Sequence, residues 1–292
     1  MVEQQRGFVL QRRGWLWIYA LETFIQELLT HLDDPDHFFD LPGCKIIKDQ
    51  KKIKVGLVKI KIQGKLRTIY IKRYNAFSWR YRFGSLFRAS GALRSLRGAA
   101  ILSDSDIGTA RPLAAVDSKS WGMLNRSFFL SEEIENGKTA DVYWREHLLA
   151  AKGKEGAGRR RRFLQRLGTL FRSLHQQNVY HNDLKDANIL VRSESSGGDE
   201  QFYLLDLEGI RRYRRLNRRR RIKNLVQLNR TLGKYVRATD KLRFLEGYLG
   251  PSSSDRTVKR EWIATVFRES NRLDRLRNGE QFHALRSQQG VT

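Results

Sequence analysis

The run His181-Asn182-Asp183-Leu184-Lys185-Asp186-Ala187-Asn188, with Asp206 eighteen residues beyond it, is where side chains capable of chemistry are most concentrated. A carboxylate such as Asp183 can orient a hydroxyl and take its proton. Lys185, two residues later, can neutralise charge on a group in transfer. The amide oxygen of Asn188 and the carboxylate of Asp206 are hard donors, the kind that hold divalent ions against phosphates. Together these types and spacings suit phosphoryl transfer. A lone His-x-Asp is commonplace, and Asp183 alone could simply cap the end of the preceding helix. The reading rests on the whole string, in which His181 is a buried residue that holds the loop rather than an acid–base group.

Several elements must position these residues. From Gly158 the pattern is helical, and Phe163, Leu164, Leu167, Leu170, Phe171 and Leu174 form a buried stripe that ends just before His181. Ile189-Leu190-Val191 and Phe202-Tyr203-Leu204-Leu205 read as a short hairpin with a polar tip at Ser193 to Glu200, which folds Asn188 and Asp206 back toward each other. Upstream, residues 45 to 74 approximate the alternation of strands, with a turn at Gln63-Gly64-Lys65 and Lys72 near the end of the last strand. Residues 15 to 32 carry apolar side chains at a helical period, and Asp33-Asp34-Pro35-Asp36 stops that helix. Residues 83 to 103 read as an arginine-rich helix, and Arg111 to Val116 and Ser127 to Leu130 as two further strands. Strands first and helices second imply an α+β protein with two lobes, residues 1–130 and 131–292.

The catalytic string and the Leu-Leu-Asp that follows match the corresponding segments of the protein-kinase fold, which implies a small β-rich N-lobe and a mainly helical C-lobe. Lys72, in Ile69-Tyr70-Ile71-Lys72-Arg73-Tyr74, falls where a strand of that fold presents its phosphate-binding lysine. Within the fold the sequence resembles the bacterial lipopolysaccharide core kinases that act on heptose or Kdo. The resemblance rests on the Trp-containing amino-terminal helix, Ile71-Lys72-Arg73-Tyr74, Thr109-Ala110-Arg111-Pro112-Leu113-Ala114, the catalytic run, Leu205-Asp206-Leu207-Glu208-Gly209, and Lys223 to Asn229. It implies an ATP- and Mg²⁺-dependent kinase that phosphorylates a sugar hydroxyl of the lipopolysaccharide core. Asp183 and Lys185 would be catalytic, Lys72, Asn188 and Asp206 would bind the nucleotide, and Asn188 and Asp206 would hold the metal.

The sequence departs from ordinary protein kinases in ways that matter. No Gly-x-Gly-x-x-Gly loop is present; the corresponding turn is Lys48-Asp49-Gln50-Lys51-Lys52, whose cations can stand in for backbone amides. No acidic residue occurs from Arg73 to Ser103, so the helix glutamate expected to pair with Lys72 is missing. Asp206 is followed by Leu207-Glu208 instead of Phe-Gly. Asn182 replaces the arginine that reads a phosphorylated activation loop, and no Ala-Pro-Glu follows. These last features argue against activation-loop control and against a protein substrate.

Charge narrows the partners. The 292 residues hold 56 Lys and Arg against 31 Asp and Glu, a net of +25, which calls for a polyanionic neighbour. Arg211 to Arg221 contains eight arginines in eleven residues, and Arg159 to Arg162 adds four. Arg211, Arg212, Arg214 and Arg215 follow Asp206 closely and can grip the phosphates and carboxylates of a glycolipid, or dock the chain on an anionic membrane surface. Nucleic acid is less favoured, because Tyr213 is the one aromatic in the run and a base-stacking platform needs more. Cys44 is the single cysteine, so no intrachain disulfide forms, and it reads as a packing residue. The apolar stretch Trp15 to Leu29 is broken by Glu22, Gln26 and Glu27 and is too short to cross a bilayer. The expectation is a cytoplasmic protein, peripheral on the inner face of the cytoplasmic membrane. Two alternatives compete with the sugar kinase. One is a kinase-fold pseudoenzyme binding anionic lipid or nucleic acid, motivated by the missing glutamate. The other is a kinase of small molecules or proteins.

Overall fold

Strand β1 (Phe8–Arg13) and strand β2 (Leu16–Leu21) open the chain as a hairpin, and only Ile25–Leu32 forms helix α1. The helix expected over residues 15 to 32 is therefore half strand. Leu16-Trp17-Ile18-Tyr19-Ala20-Leu21 is a short apolar run that periodicity alone assigns to either state. Its aromatic and β-branched side chains suit a pleated surface, and β2 gains ladder hydrogen bonds on both sides. The structure is a computed structural model and describes residues 7–76, 78–193 and 199–289.

Strands β3 (Lys45–Gln50), β4 (Ile53–Ile62) and β5 (Lys65–Asn75) form the expected meander, followed by the short helix α2 (Trp79–Gly84) and by α3 (Gly91–Ser103). The Ser90 hydroxyl accepts from Leu93 N–H and sets the start of α3, so this helix begins later than residue 83. Strand β6 (Gly108–Thr109) precedes the long hairpin β7 (Pro112–Ser120) and β8 (Met123–Glu132). Seven strands make one sheet in the order β1-β2-β7-β8-β5-β4-β3, with every neighbouring pair antiparallel. One face buries Ile18, Val58, Ile60, Ile69, Ile71, Val116 and Phe128 against Leu28, Leu32 and Phe38, which is the core of this part.

Strand β9 (Lys138–Thr139), the short helix α4 (Ala140–Tyr143) and the long α5 (Gly153–Gln176) come next. Then follow β10 (Val179–His181), β11 (Ile189–Arg192), β12 (Gln201–Leu204) and β13 (Ile210–Arg212). Helices α6 (Arg218–Arg230), α7 (Ala238–Leu249) and α8 (Arg256–Gln289) complete the chain. The stripe read on α5 is buried at Phe163, Leu164, Leu167, Phe171 and Leu174. Gly168 on α5 and Gly247 on α7 each sit where a Cβ would fall about 2 Å from a carbonyl of the other helix, so the two backbones touch.

The chain divides into two compact units. One holds the residues up to Gly137 together with Tyr203–Arg211; the other holds Lys138–Phe202 and the chain from Arg212 on. The short segment carrying Asp206 thus belongs with the sheet that carries Lys72. No helix among the described residues is long and apolar enough to cross a membrane.

Candidate active site

In the helical unit, α5 ends against β10, and β10 delivers the catalytic run. His181 is fully buried, and its Nδ1 accepts the Asp183 N–H at 3.2 Å. Lys185 Nζ donates to Asp183 Oδ2 at 2.7 Å. Asn188 Nδ2 donates to the Asp183 carbonyl at 2.7 Å and to Asp183 Oδ2 at 3.2 Å. The structure therefore brings Asp183, Lys185 and Asn188 together around one carboxylate, which remains partly open to solvent. Both bonds use Nδ2, the donor end of the Asn188 amide.

Helix α6 holds this loop by its backbone. Asn224 Nδ2 donates to the His181 carbonyl at 2.6 Å, and Gln227 Nε2 donates to the Asn182 carbonyl at 2.7 Å. Gln227 Oε1 accepts from Leu184 N–H at 3.1 Å. Asn224 Oδ1 lies 3.2 Å from His175 Nε2, and His175 Nδ1 lies 3.0 Å from the Tyr248 hydroxyl. Burial, partly offset by the Asn224 hydrogen bond, pulls His175 down to about 4, so the ring is neutral at pH 7. A neutral ring then donates from Nε2 and accepts at Nδ1, which matches both partners.

In the sheet unit, Lys72 on β5 faces Asp206, with Nζ 2.7 Å from Oδ1. Asp206 adopts φ +55 and ψ +54, the left-handed region that non-glycine residues seldom occupy. Lys72 Nζ also sits 5.0 Å from the centre of the Tyr74 ring. Burial lowers the Lys72 pKa, but Tyr74, the Asp206 carboxylate with its hydrogen bond, and Glu208 outweigh it; the net direction is upward. Burial likewise pushes Tyr74 up to about 12, and its hydroxyl lies 2.8 Å from Ser95 Oγ on α3.

The glutamate missing from α3 is answered by an exchanged pair. Lys72 takes Asp206 as its partner, while α3 carries Arg94, whose Nη2 donates to Glu208 Oε2 at 3.3 Å. Gly98 on the same helix leaves room for the Asp206 segment, since a Cβ there would meet the Leu207 carbonyl oxygen at 2.2 Å. Sequence reasoning did not single out Arg94, Glu208 and Gly98, which the structure places against the Asp206 segment. The available signals were the acid two residues past Asp206 and a glycine in the middle of a helix.

Of the arginines, Arg211 Nη1 donates to the carbonyls of Glu208 and Ile210. Arg211, Arg212, Arg214 and Arg215 are all exposed. Later members of the run are engaged within the helical unit: Arg218 with Glu261 at 2.8 Å, Arg220 over the Tyr213 ring at 4.1 Å, and Arg221 with the His175 carbonyl. Among the described residues no group of three or more His, Cys, Asp or Glu side chains could hold a metal by itself. The carboxylate of Asp206 and the amide oxygen of Asn188 are each a hard donor of the type that magnesium takes.

The fold is that of the protein kinases, a β-rich amino-terminal part followed by a helical carboxy-terminal part. It is similar to a solved structure described as "WaaP in complex with acyl carrier protein", with a TM-score of 0.60 at 20% identity over 82% of this chain and 92% of that one. Residues 47–248 match the lipopolysaccharide kinase (Kdo/WaaP) family, and the chain belongs to that family. A curated relative, the 3-deoxy-D-manno-octulosonic acid kinase of Pasteurella multocida (strain Pm70), is 28% identical over 159 residues. That match spans 53% of this chain and 59% of the relative's length.

Proposed function

We infer that this protein transfers the γ-phosphoryl group of ATP to a sugar hydroxyl of the lipopolysaccharide core. The observation that carries the reading is the Asp183 carboxylate, held beside Lys185 and Asn188 in a member of the lipopolysaccharide kinase family. Asp183 accepts the proton of the attacking hydroxyl and orients that oxygen. Lys185 offsets negative charge as the phosphoryl group moves, and Lys72 binds the nucleotide phosphates. Asn188 and Asp206 would hold Mg²⁺, which when bound supplies charge neutralisation at the phosphates. Asn224 and Gln227 keep the loop from relaxing between turnovers. Arg211, Arg212, Arg214 and Arg215 grip the anionic groups of the acceptor, and the chain works at the inner face of the cytoplasmic membrane.

The relative's name makes Kdo the first acceptor to test, with heptose second. Purified protein, radiolabelled ATP and Mg²⁺ are incubated with a Kdo-lipid A acceptor or a heptose-extended one, and the product is mapped by mass spectrometry. Asp183→Ala should cut incorporation by about 10²- to 10⁴-fold with an unchanged melting temperature. Because the similar solved structure contains acyl carrier protein, a parallel reaction includes that protein. Undiminished transfer by Asp183→Ala, or no phosphate on either acceptor in any reaction, would sink this reading.

A further inference from the structure

The segment after β5 turns large apolar side chains to solvent. Trp79 is 74% exposed, Phe83 56% and Phe87 81%, with Leu86 beside them. The β7–β8 turn adds Trp121 at 86%. These belong to one patch. The Phe83 and Phe87 rings are 6.4 Å apart, a Cβ on Gly122 would touch Leu86 at 3.6 Å, and Leu124 N–H donates to Ser85 Oγ at 2.9 Å. Folding gains nothing from leaving five such side chains in water, and a contiguous apolar patch of this kind marks a binding surface.

The charge carried by the segment itself has one sign. Arg80 and Arg88 are exposed within it, Arg80 lies 5.8 Å from the Trp79 ring centre, and no Asp or Glu occurs from Arg73 to Ser103. Exposed tryptophan and phenylalanine on a segment that carries arginine and no carboxylate is the composition of an element that enters the head-group region of an anionic bilayer. Phe83, Leu86 and Phe87 offer no hydrogen-bonding group, which suits acyl chains better than a nucleic-acid backbone.

We propose that Trp79, Phe83, Leu86, Phe87 and Trp121, with Arg80 and Arg88, form a membrane-insertion surface that holds the sheet unit on an anionic lipid bilayer. This deepens the proposed function, because a glycolipid acceptor is embedded in such a bilayer, and it rests on that reading for its purpose. The surface contains none of the residues assigned to phosphoryl transfer.

The full chain is floated with vesicles of phosphatidylethanolamine and phosphatidylglycerol, and with vesicles of phosphatidylcholine alone. The expected result is binding to the anionic vesicles that weakens at least about 10-fold when Phe83→Ser, Phe87→Ser and Trp121→Ser are combined. In the unsubstituted chain, lipids brominated near the head group should quench tryptophan emission, and Trp79→Phe with Trp121→Phe should remove that quenching. This arm does not depend on how the serine variant folds. Transfer to a lipid-free core oligosaccharide should be the same in parent and serine variant. If the parent phosphorylates neither this acceptor nor the lipid-linked ones, the enzymatic reading fails while the vesicle result still decides this surface. Equal vesicle binding by parent and variant, or no quenching in the parent, overturns the proposal. So does patch-dependent binding of single-stranded RNA without vesicle binding.

Discussion

Lys72 Nζ donates to Asp206 Oδ1 at 2.7 Å across 134 residues of sequence, and this contact ties the sheet to the segment that follows β12. Both side chains retain some contact with water, so the pair contributes only about 1 kcal/mol to stability. Its larger consequence is chemical, since it sets a cation beside a candidate metal carboxylate. Lys72→Met and Asp206→Asn should each lower phosphoryl transfer on the order of 10²-fold or more, while the melting temperature moves little. Steady-state kinetics paired with thermal melts checks this; a variant with normal kcat would remove the pair from the mechanism.

Arg94 on α3 pairs with Glu208, two residues past Asp206. Glu208 also lies close enough to help hold the Lys72 charge. Glu208→Gln should reduce transfer about 10-fold by loosening the Asp206 segment. A double-mutant cycle with Arg94→Leu should give a coupling of about 0.5–1 kcal/mol in urea unfolding. Additive single-mutant effects would mean that the two side chains act separately.

Gln227 is the side chain that serves two backbone groups of the catalytic loop, Asn182 C=O and Leu184 N–H. Gln227→Leu leaves both without that partner and should destabilise the protein by about 1–3 kcal/mol. Because the loop carries Asp183, kcat should fall more than KM for ATP rises. Gln227→Glu, which keeps the acceptor for Leu184, should lie between the two. Equal activity of the Leu and Glu variants at equal stability would show that the loop does not need this support.

Asp117 on β7 is buried, and burial raises its pKa from 3.8 to about 6, against the pull of Ser90, Lys119 and Arg94. Between these two values the folded protein binds more protons than the unfolded chain, so stability falls as pH rises from about 4 to about 6. The cost is complete above the folded pKa and amounts to about 3 kcal/mol. Asp117→Asn keeps the shape without the charge and should flatten that part of the stability profile. Urea unfolding at pH 4, 5, 6 and 7 measures it, and an unchanged slope in the variant would assign the pH dependence elsewhere.

Local pattern carries much of this molecule. The alternation over residues 53 to 75, interrupted at Gln63-Gly64, is enough to place the β4–β5 hairpin, because each strand must bury one face. The period of Phe163 to Leu174 places α5 for the same reason. Leu16 to Leu21 is the counterexample: six apolar residues fit a helix or a buried strand equally, and the choice depended on β7 being there to pair with.

The gathering of Asp183, Lys185 and Asn188 was likewise legible, since they lie within six residues and one loop can bring them together. What supports them was not. Which cation meets Asp206, which partner the α3 arginine takes, and how α6 grips His181 to Leu184 all depend on side chains brought together from distant parts of the chain. The residue types and short spacings of the catalytic run, and the family they belong to, were set by the sequence alone. The Lys72–Asp206 and Arg94–Glu208 pairings, and the approach of α3 that Gly98 permits, were decided only by the tertiary structure. The physical reason is range: spacing governs contacts within a turn or two, whereas a hydrogen bond between distant residues exists only once packing has brought its two atoms within about 3 Å.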